Sequence, residues 1–249
     1  MHKQSLLPSE WDVPEIFRDR LGEFPGRQRT MVADGHLLVV LHAPPEPGEE
    51  RRRGRFYWRA PDDTWKSTTG IRGPSALESH LEDYDKVLDK LTESEQQAQS
   101  SRDYFEVLNH VAPIVRSTRN LHAALQEARQ SVPQDRQIIN FRDKAYALQR
   151  QAELLMTDAK STLDFTIARQ AEAQAASSQQ MALSAHRLNL LAAFFFPMAT
   201  LTAIFGVNLR TGIEDWDKAH SPALFLVVMV FGLLFGAMLT VFVSRRPPT

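Results

Sequence analysis

Two long uncharged runs near the C-terminus limit what this chain of 249 residues can fold into. The first extends from Leu188 to Leu209 and the second from Pro222 to Val243, and each has 22 residues. At a rise of 1.5 Å per residue, a helix of that length covers about 33 Å, which matches a bilayer hydrocarbon core of about 30 Å. Two such runs joined by a dozen residues are typical of paired membrane spans rather than of buried helices in a soluble protein.

The charges beside these runs predict the orientation of the spans. Basic residues precede the first run at Arg187 and follow the second at Arg245 and Arg246, whereas the loop 210–221 holds three acidic and two basic side chains. Segments rich in Lys and Arg stay on the cytoplasmic side of a membrane. We therefore expect a multi-pass protein of a bacterial-type inner (cytoplasmic) membrane, in contact with lipid, with both termini in the cytoplasm and the loop outside.

The composition excludes several classes of function. The formal net charge is only −1, which argues against a nucleic-acid partner. The sequence contains no cysteine, so disulfides, thiolate metal sites and cysteine nucleophiles are absent. We find no nucleophile constellation, glycine-rich phosphate loop or acid pair, and therefore expect neither an enzyme nor a bound cofactor.

The front of the chain has the pattern of two β-hairpins. Residues 29–43 alternate and contain Asp34-Gly35, a strong signal for a two-residue hairpin turn. Residues 53–69 repeat the pattern around Pro61-Asp62-Asp63. We expect residues 1–74 to form a small cytoplasmic β-rich part with an antiparallel sheet.

Helical spacing replaces the strand pattern after residue 74. Residues 75–133 predict a cytoplasmic helical part with helices over about 76–97 and 101–130, the second with Phe105 turned inward. Pro133 suits the first turn of a third helix, which no breaker interrupts before Pro197. That helix would extend from Gln134 to Phe205.

The predicted fold class is an α+β membrane protein. It combines a small antiparallel sheet and helices in a cytoplasmic domain with one very long stalk helix that continues into the first of two C-terminal transmembrane helices. The helical part is followed by the stalk helix (134–187), the first transmembrane helix (188–209), the outer loop (210–221), the second transmembrane helix (222–243) and the cytoplasmic tail (244–249).

Small residues recur along the long helix at alternating steps of three and four, as in a coiled-coil seam. Nine of the eleven positions of this seam are Ala or Ser; the seam consists of Ala168, Ala171, Ala175, Ser178, Ala182, Ala185, Asn189, Ala192, Phe196, Ala199 and Ala203. Such residues fit either very close helix packing or the wall of a narrow lumen, and a chance pattern in an Ala/Gln-rich helix is the alternative. Asn189, a costly polar residue near a membrane edge, favours the lumen. On the second span, Gly232 and Gly236 either permit close helix contact or are simple filler.

Around the segment from Phe194 to Trp216, the chain combines two C-terminal spans, a proline within the first, a Gly-x-Asn tripeptide closing it, a short acidic loop with a Trp, and a basic C-terminus. In these features it resembles the CorA-type divalent-cation transporter family. The family signature is Gly-Met-Asn, whereas this chain has Gly206, Val207 and Asn208, with Val in place of Met as in divergent and zinc-transporting branches. The resemblance covers residues 134–249 and is only topological over 1–133, which is shorter than is typical.

The resemblance implies a homopentamer around one pore that passes Mg²⁺ or a similar divalent cation. The first span would line the pore with Asn189, Ala192, Phe196, Ala199 and Ala203, and Gly206, Val207 and Asn208 would form the selectivity filter. A ring of neutral amides can hydrogen-bond the hydration shell of Mg²⁺ without stripping it and still release the ion.

Three further groups of residues are candidates for roles in such a pore. Phe196, with Leu188 as a second ring, would form an apolar gate, or these side chains are lipid-facing or interhelical filler. Acidic residues of the loop would attract cations at the outer mouth, or form an ordinary loop: Glu214, Asp215 and Asp217. Carboxylates on one face of the helix 76–97 would bind a regulatory metal between subunits, or form a solvated face: Glu82, Asp85 and Asp89.

Two alternatives to magnesium transport remain open at this point. Val207 suggests zinc uptake by the same architecture, possibly coupled to protons. The short front part and the unusual tripeptide suggest a membrane-anchored scaffold that retains the fold but conducts nothing.

Overall fold

The computed structural model describes residues 6–46, 48–49, 51–206 and 223–244. The chain divides into two compact units, residues 1–168 and 169–249, and the boundary lies within a helix. The first unit contains the sheet and most of the helices, and the second contains the apolar part of the chain.

Four antiparallel strands form one sheet in the order β1-β2-β3-β4, with β1 Arg29–Ala33, β2 His36–His42, β3 Gly54–Arg59 and β4 Trp65–Ser67. The two-residue turn between β1 and β2 is Asp34-Gly35, and both residues have positive φ (49° and 79°), as a type I′ hairpin requires. Pro61, Asp62 and Asp63 lie between β3 and β4. The predicted hairpins and antiparallel sheet are therefore confirmed.

Both faces of the sheet are covered. The N-terminal segment, which includes the short helix α1 (Glu15–Asp19), packs Trp11 and Phe17 on the face that carries Leu38 and Trp58. Helices cover the opposite face, so β2 is buried along nearly its whole length rather than on alternate residues.

Three helices complete the first unit: α2 (Ser75–Gln97), α3 (Ser101–Ser131) and the beginning of α4 (Arg136–Gly206). Ser100 and Asp103 form a capping box at the start of α3, which explains why the chain turns there into a new helix. α4 buries residues at helical spacing: Ile138, Phe141, Ala145, Leu148, Ala152, Leu155 and Ala159. α2, α3 and this face of α4 share one core with the sheet.

Two local predictions about these helices are wrong. Pro133 lies in a turn before α4 rather than in its first turn; the helix begins at Arg136 because the Asp135 carboxylate accepts hydrogen bonds from the N–H groups of Gln137 and Ile138. Phe105 is 59% exposed, because it lies about 200° around the helix from Val107, which enters the core. The long third helix is otherwise as expected, uninterrupted from Arg136 to Gly206 and continuing through Pro197.

The second unit contains the rest of α4 and a further helix, α5 (Ala223–Ser244). From residue 169 to residue 204, every side chain of α4 is exposed or half-buried in the protomer. A helix that buries no residue within its own chain needs further surroundings, either lipid or other protein.

Candidate functional site

The C-terminal part of α4 is apolar and largely exposed in the protomer. It contains an 18-residue window with a mean hydropathy of 1.5, and none of that window is buried. By length and composition, one described helix can cross a membrane; the apolar stretch in α5 is shorter, from Leu226 to Val241. A bare apolar surface of this extent is stable in lipid or against other protein, but not in water.

α5 packs against one side of α4. Gly232 and Gly236 are the two buried residues between positions 226 and 241. Gly232 faces the side chains of Met198 and Leu201, and Gly236 faces Phe194. The two glycines that the sequence singled out therefore form the contact between the helices, rather than acting as filler.

The seam residues of α4 lie on the side that faces away from α5. The half-buried residues of α4 in this region share one face: Leu190, Ala193, Phe194, Pro197, Met198 and Leu201. The predicted pore-lining residues are all exposed in the protomer: Asn189, Ala192, Phe196, Ala199 and Ala203. At 100° per residue the two sets are centred on opposite sides of the helix. The protomer thus brings the five predicted positions together on one bare stripe.

The three consecutive phenylalanines occupy different environments. Phe194 is half-buried against α5, whereas Phe195 and Phe196 are exposed, Phe196 by 74%. Leu188, the second predicted gate residue, is 67% exposed. Their role as a gate stays a prediction, but the helix contact separates Phe196 from Phe194 in the way that the gate requires.

The first residue of the predicted filter lies at the C-terminal end of α4. Gly206 is the last residue of the helix. Val207 and Asn208 of the filter, and Glu214, Asp215 and Asp217 of the outer mouth, lie outside the described residues.

The acidic face of α2 is solvent-accessible within one chain. Glu82 and Asp89 are exposed and Asp85 is half-buried, while the neighbouring Asp83 is bound to Arg55 at 2.7 Å. No group of three or more His, Asp or Glu side chains in the described part of the chain is arranged to hold a metal ion. A regulatory metal at this face, shared between subunits, stays a prediction.

A buried polar network between the sheet and the helices was not expected from the sequence. The Tyr84 hydroxyl donates to the His42 carbonyl at 3.0 Å and lies 2.6 Å from the Ser117 Oγ. The Gln28 side chain donates to the Ser117 carbonyl at 2.9 Å, and burial raises the pKa of Tyr84. The sequence indicates that Tyr84 is buried, because helical spacing puts it in register with the core leucines of α2. The hydrogen-bond partners of Tyr84 are distant in sequence, so no local pattern identifies them.

Solved structures with a similar fold include the cytoplasmic domain of ZntB from Vibrio parahaemolyticus RIMD 2210633, with a TM-score of 0.53 and 13% identity over 65% of this chain and 80% of that one. The full-length CmaX protein matches with a TM-score of 0.49 and 14% identity over 93% of this chain and 83% of that one. The CorA magnesium transporter from Methanocaldococcus jannaschii matches with a TM-score of 0.44 and 15% identity over 89% and 80%. A search of curated proteins finds no match.

A match to a family described as CorA-like Mg²⁺ transporter protein covers residues 30–245. It therefore includes the sheet, the three long helices and both apolar segments, and agrees with the resemblance first seen in the tripeptide and its surroundings. The chain belongs to the CorA-like Mg²⁺ transporter family.

Proposed function

We propose that this protein transports a divalent cation, Mg²⁺, across the cytoplasmic membrane through a pore formed by five copies of the chain. The observation that carries the proposal is the bare stripe of α4, on the side opposite to α5, in a chain of this family. Five such stripes around one axis would enclose a lumen lined mainly by small side chains.

The chemistry of the stripe favours a lumen over lipid. Asn189 is exposed on it, and an amide that faces hydrocarbon is costly, whereas one that faces water in a pore is satisfied. Between residues 226 and 241, the side of α5 that faces away from α4 carries apolar groups that suit lipid, including Val227, Val230 and Leu234. The arrangement therefore supports α4 as the inner helix and α5 as an outer, second span. The basic residues beside the two spans favour a cytoplasmic location for both chain ends: Arg187, Arg245 and Arg246.

Asn208 is the residue proposed to select the ion. It follows the last helical residue, Gly206, by two positions, so five copies would place five amide oxygens at one end of the lumen. Neutral oxygens hydrogen-bond the water shell that Mg²⁺ gives up reluctantly, and they bind weakly enough to release it. Glu214, Asp215 and Asp217 would raise the local cation concentration outside this ring.

Flux into proteoliposomes tests the proposal. The wild-type protein should pass Mg²⁺, and Asn208→Ala should lower cation affinity and selectivity while changing the free energy of unfolding by only about 0.5–1 kcal/mol, because no packed core is lost. Asn109→Ala removes an exposed amide from α3 and is the matched control, expected to leave flux unchanged. Wild-type flux and selectivity in Asn208→Ala would contradict the filter, and a monomeric or dimeric mass in lipid would contradict the pentamer.

Zinc is the second candidate ion, and Val207 in place of the family's Met is the observation that favours it. Mg²⁺ and Zn²⁺ presented separately to the same proteoliposomes distinguish the two, and Val207→Met should shift the preference toward Mg²⁺ if this position sets it. Absence of flux with either ion from an intact pentamer would favour the non-conducting scaffold.

A further inference from the structure

The two glycines of α5 contact α4 differently: Gly236 lies against the backbone of α4, and Gly232 lies against its side chains. A Cβ atom at Gly236 would lie 2.7 Å from the backbone carbonyl oxygen of Phe194 and 3.5 Å from its carbonyl carbon. A Cβ atom at Gly232 would meet only side chains, Met198 Cγ at 3.3 Å and Leu201 Cδ1 at 3.4 Å. At Gly236, therefore, the two helix backbones approach so closely that no side chain fits between them, whereas at Gly232 a flexible side chain can yield.

The close approach lies beside the weakest point of the α4 backbone. Pro197 has no N–H group, so the carbonyl of Ala193 lacks its usual donor one turn earlier. Phe194, the residue that touches Gly236, follows immediately. A helix with a missing hydrogen bond resists rotation and bending less than an intact one, so an external contact at this level has the most effect on its orientation.

The contact also determines which side of α4 is bare. Phe194 and Phe196 are separated by about 200° around the helix axis, so holding Phe194 against α5 turns Phe196 to the opposite side. The same holds for the other seam positions near this level, Ala192 and Ala199, which are exposed.

We infer that Gly236 is a positioning residue for the pore helix: its lack of a side chain lets α5 seat against the Phe194 carbonyl and so sets the rotation of α4 that directs the seam away from α5. The transport consequence rests on the proposed function, whereas the packing consequence does not. Gly236→Ala forces α5 and α4 apart or turns α4, while Gly232→Ala is accommodated by movement of Met198.

Disulfide formation in the full-length protein tests this inference, because the natural chain has no cysteine. The pair Met198→Cys with Gly232→Cys should close rapidly under mild oxidation, because a Cβ atom at Gly232 would lie only 3.3 Å from Met198 Cγ, the position that the sulfur takes in Met198→Cys. The pair Phe196→Cys with Gly232→Cys should form within one chain at least ten times more slowly. The loss of free thiols is measured by alkylating the remaining thiols and determining the mass of the protein in the monomer band. Equal rates of disulfide formation for the two pairs would overturn the assigned rotation of α4. This comparison leaves Gly236 as it is in the natural chain.

Adding Gly236→Ala to the pair Met198→Cys and Gly232→Cys should slow disulfide formation at least ten-fold. The single variant Gly236→Ala, which has no cysteine, should show altered cation flux. Ala237→Val adds bulk one position along, on the exposed side of α5, and is the control that should change neither readout. Unchanged closure with Gly236→Ala would overturn the inference. Absence of flux in the wild type, with closure behaving as expected, would instead overturn the proposed transport function and leave the packing role of Gly236 standing.

Discussion

His80 lies in the core between α2 and the sheet, where its side chain is only 1% exposed. Its Nδ1 accepts a hydrogen bond from Arg55 at 3.1 Å, and Arg55 also binds Asp83. The ring lies edge-on to Tyr57 and Tyr84, with centroids 5.5 and 5.4 Å away, and the buried Nε2 has no partner among the described residues. The folded protein therefore holds a neutral imidazole in a place where an imidazolium would be neither solvated nor paired.

The pH dependence follows from this burial. Desolvation, and then the positive charges of Arg55 and His42, lower the pKa of His80 from 6.5 to about 3 in the folded state. A base whose folded pKa is lowered contributes full stability above its unfolded pKa, and that contribution is lost as the pH falls from about 6.5 toward 3. Between pH 7 and pH 5 only the unfolded chain takes up this proton, so the free energy of unfolding should fall by about 2 kcal/mol from this residue alone.

Urea unfolding at pH 7 and pH 5 measures this contribution. Trp11, Trp58 and Trp65 are buried in the same unit, so tryptophan fluorescence of the full-length protein in detergent follows the transition. His80→Gln should reduce the difference in unfolding free energy between the two pH values by about 2 kcal/mol. His110→Gln removes a half-buried imidazole from α3 and controls for the substitution itself. An unchanged pH difference in His80→Gln would refute the reasoning, whatever the stability of the variant at pH 7.

Three further predictions concern the gate, the start of α4 and the buried polar network. Phe196→Ala should raise resting cation flux in proteoliposomes, whereas Phe194→Ala should mainly weaken helix packing; equal, purely destabilising effects would exclude the gate. Asp135→Ala should cost more in urea unfolding than the roughly 1 kcal/mol of a lost helix cap, because the same carboxylate also pairs with the largely buried Arg59 guanidinium at 3.2 Å. Tyr84→Phe should cost about 1–3 kcal/mol, because the His42 carbonyl and the Ser117 hydroxyl both lose the Tyr84 hydroxyl as a hydrogen-bond partner, and a double variant with Ser117→Ala should cost less than the two single changes added together.

Local sequence determined the features that short-range physics controls. The length of the uncharged run after Arg187 predicts a helix able to cross the membrane, because hydrocarbon excludes charge and requires internal backbone hydrogen bonds. Asp34-Gly35 predicts the hairpin, because a type I′ turn needs positive φ at both residues. The unbroken helical pattern predicts α4 to within two residues at its start and one at its end. The family resemblance came from the same local segment, Gly206 to Asn208 and its surroundings, and the family match over residues 30–245 confirms it.

Tertiary structure decided what depends on residues distant in the chain. β2 is buried on both sides because the N-terminal segment with Trp11 covers its second face, which no alternation pattern in β2 reveals. His80 becomes a buried, neutral base only because Arg55 and the sheet close over it. The seam of α4 was visible in the sequence, but its periodicity was equally consistent with close helix packing. The contact between Gly236 and Phe194 decides which side of α4 is bare, since the rotation of a helix is set by what packs against it and not by its own spacing.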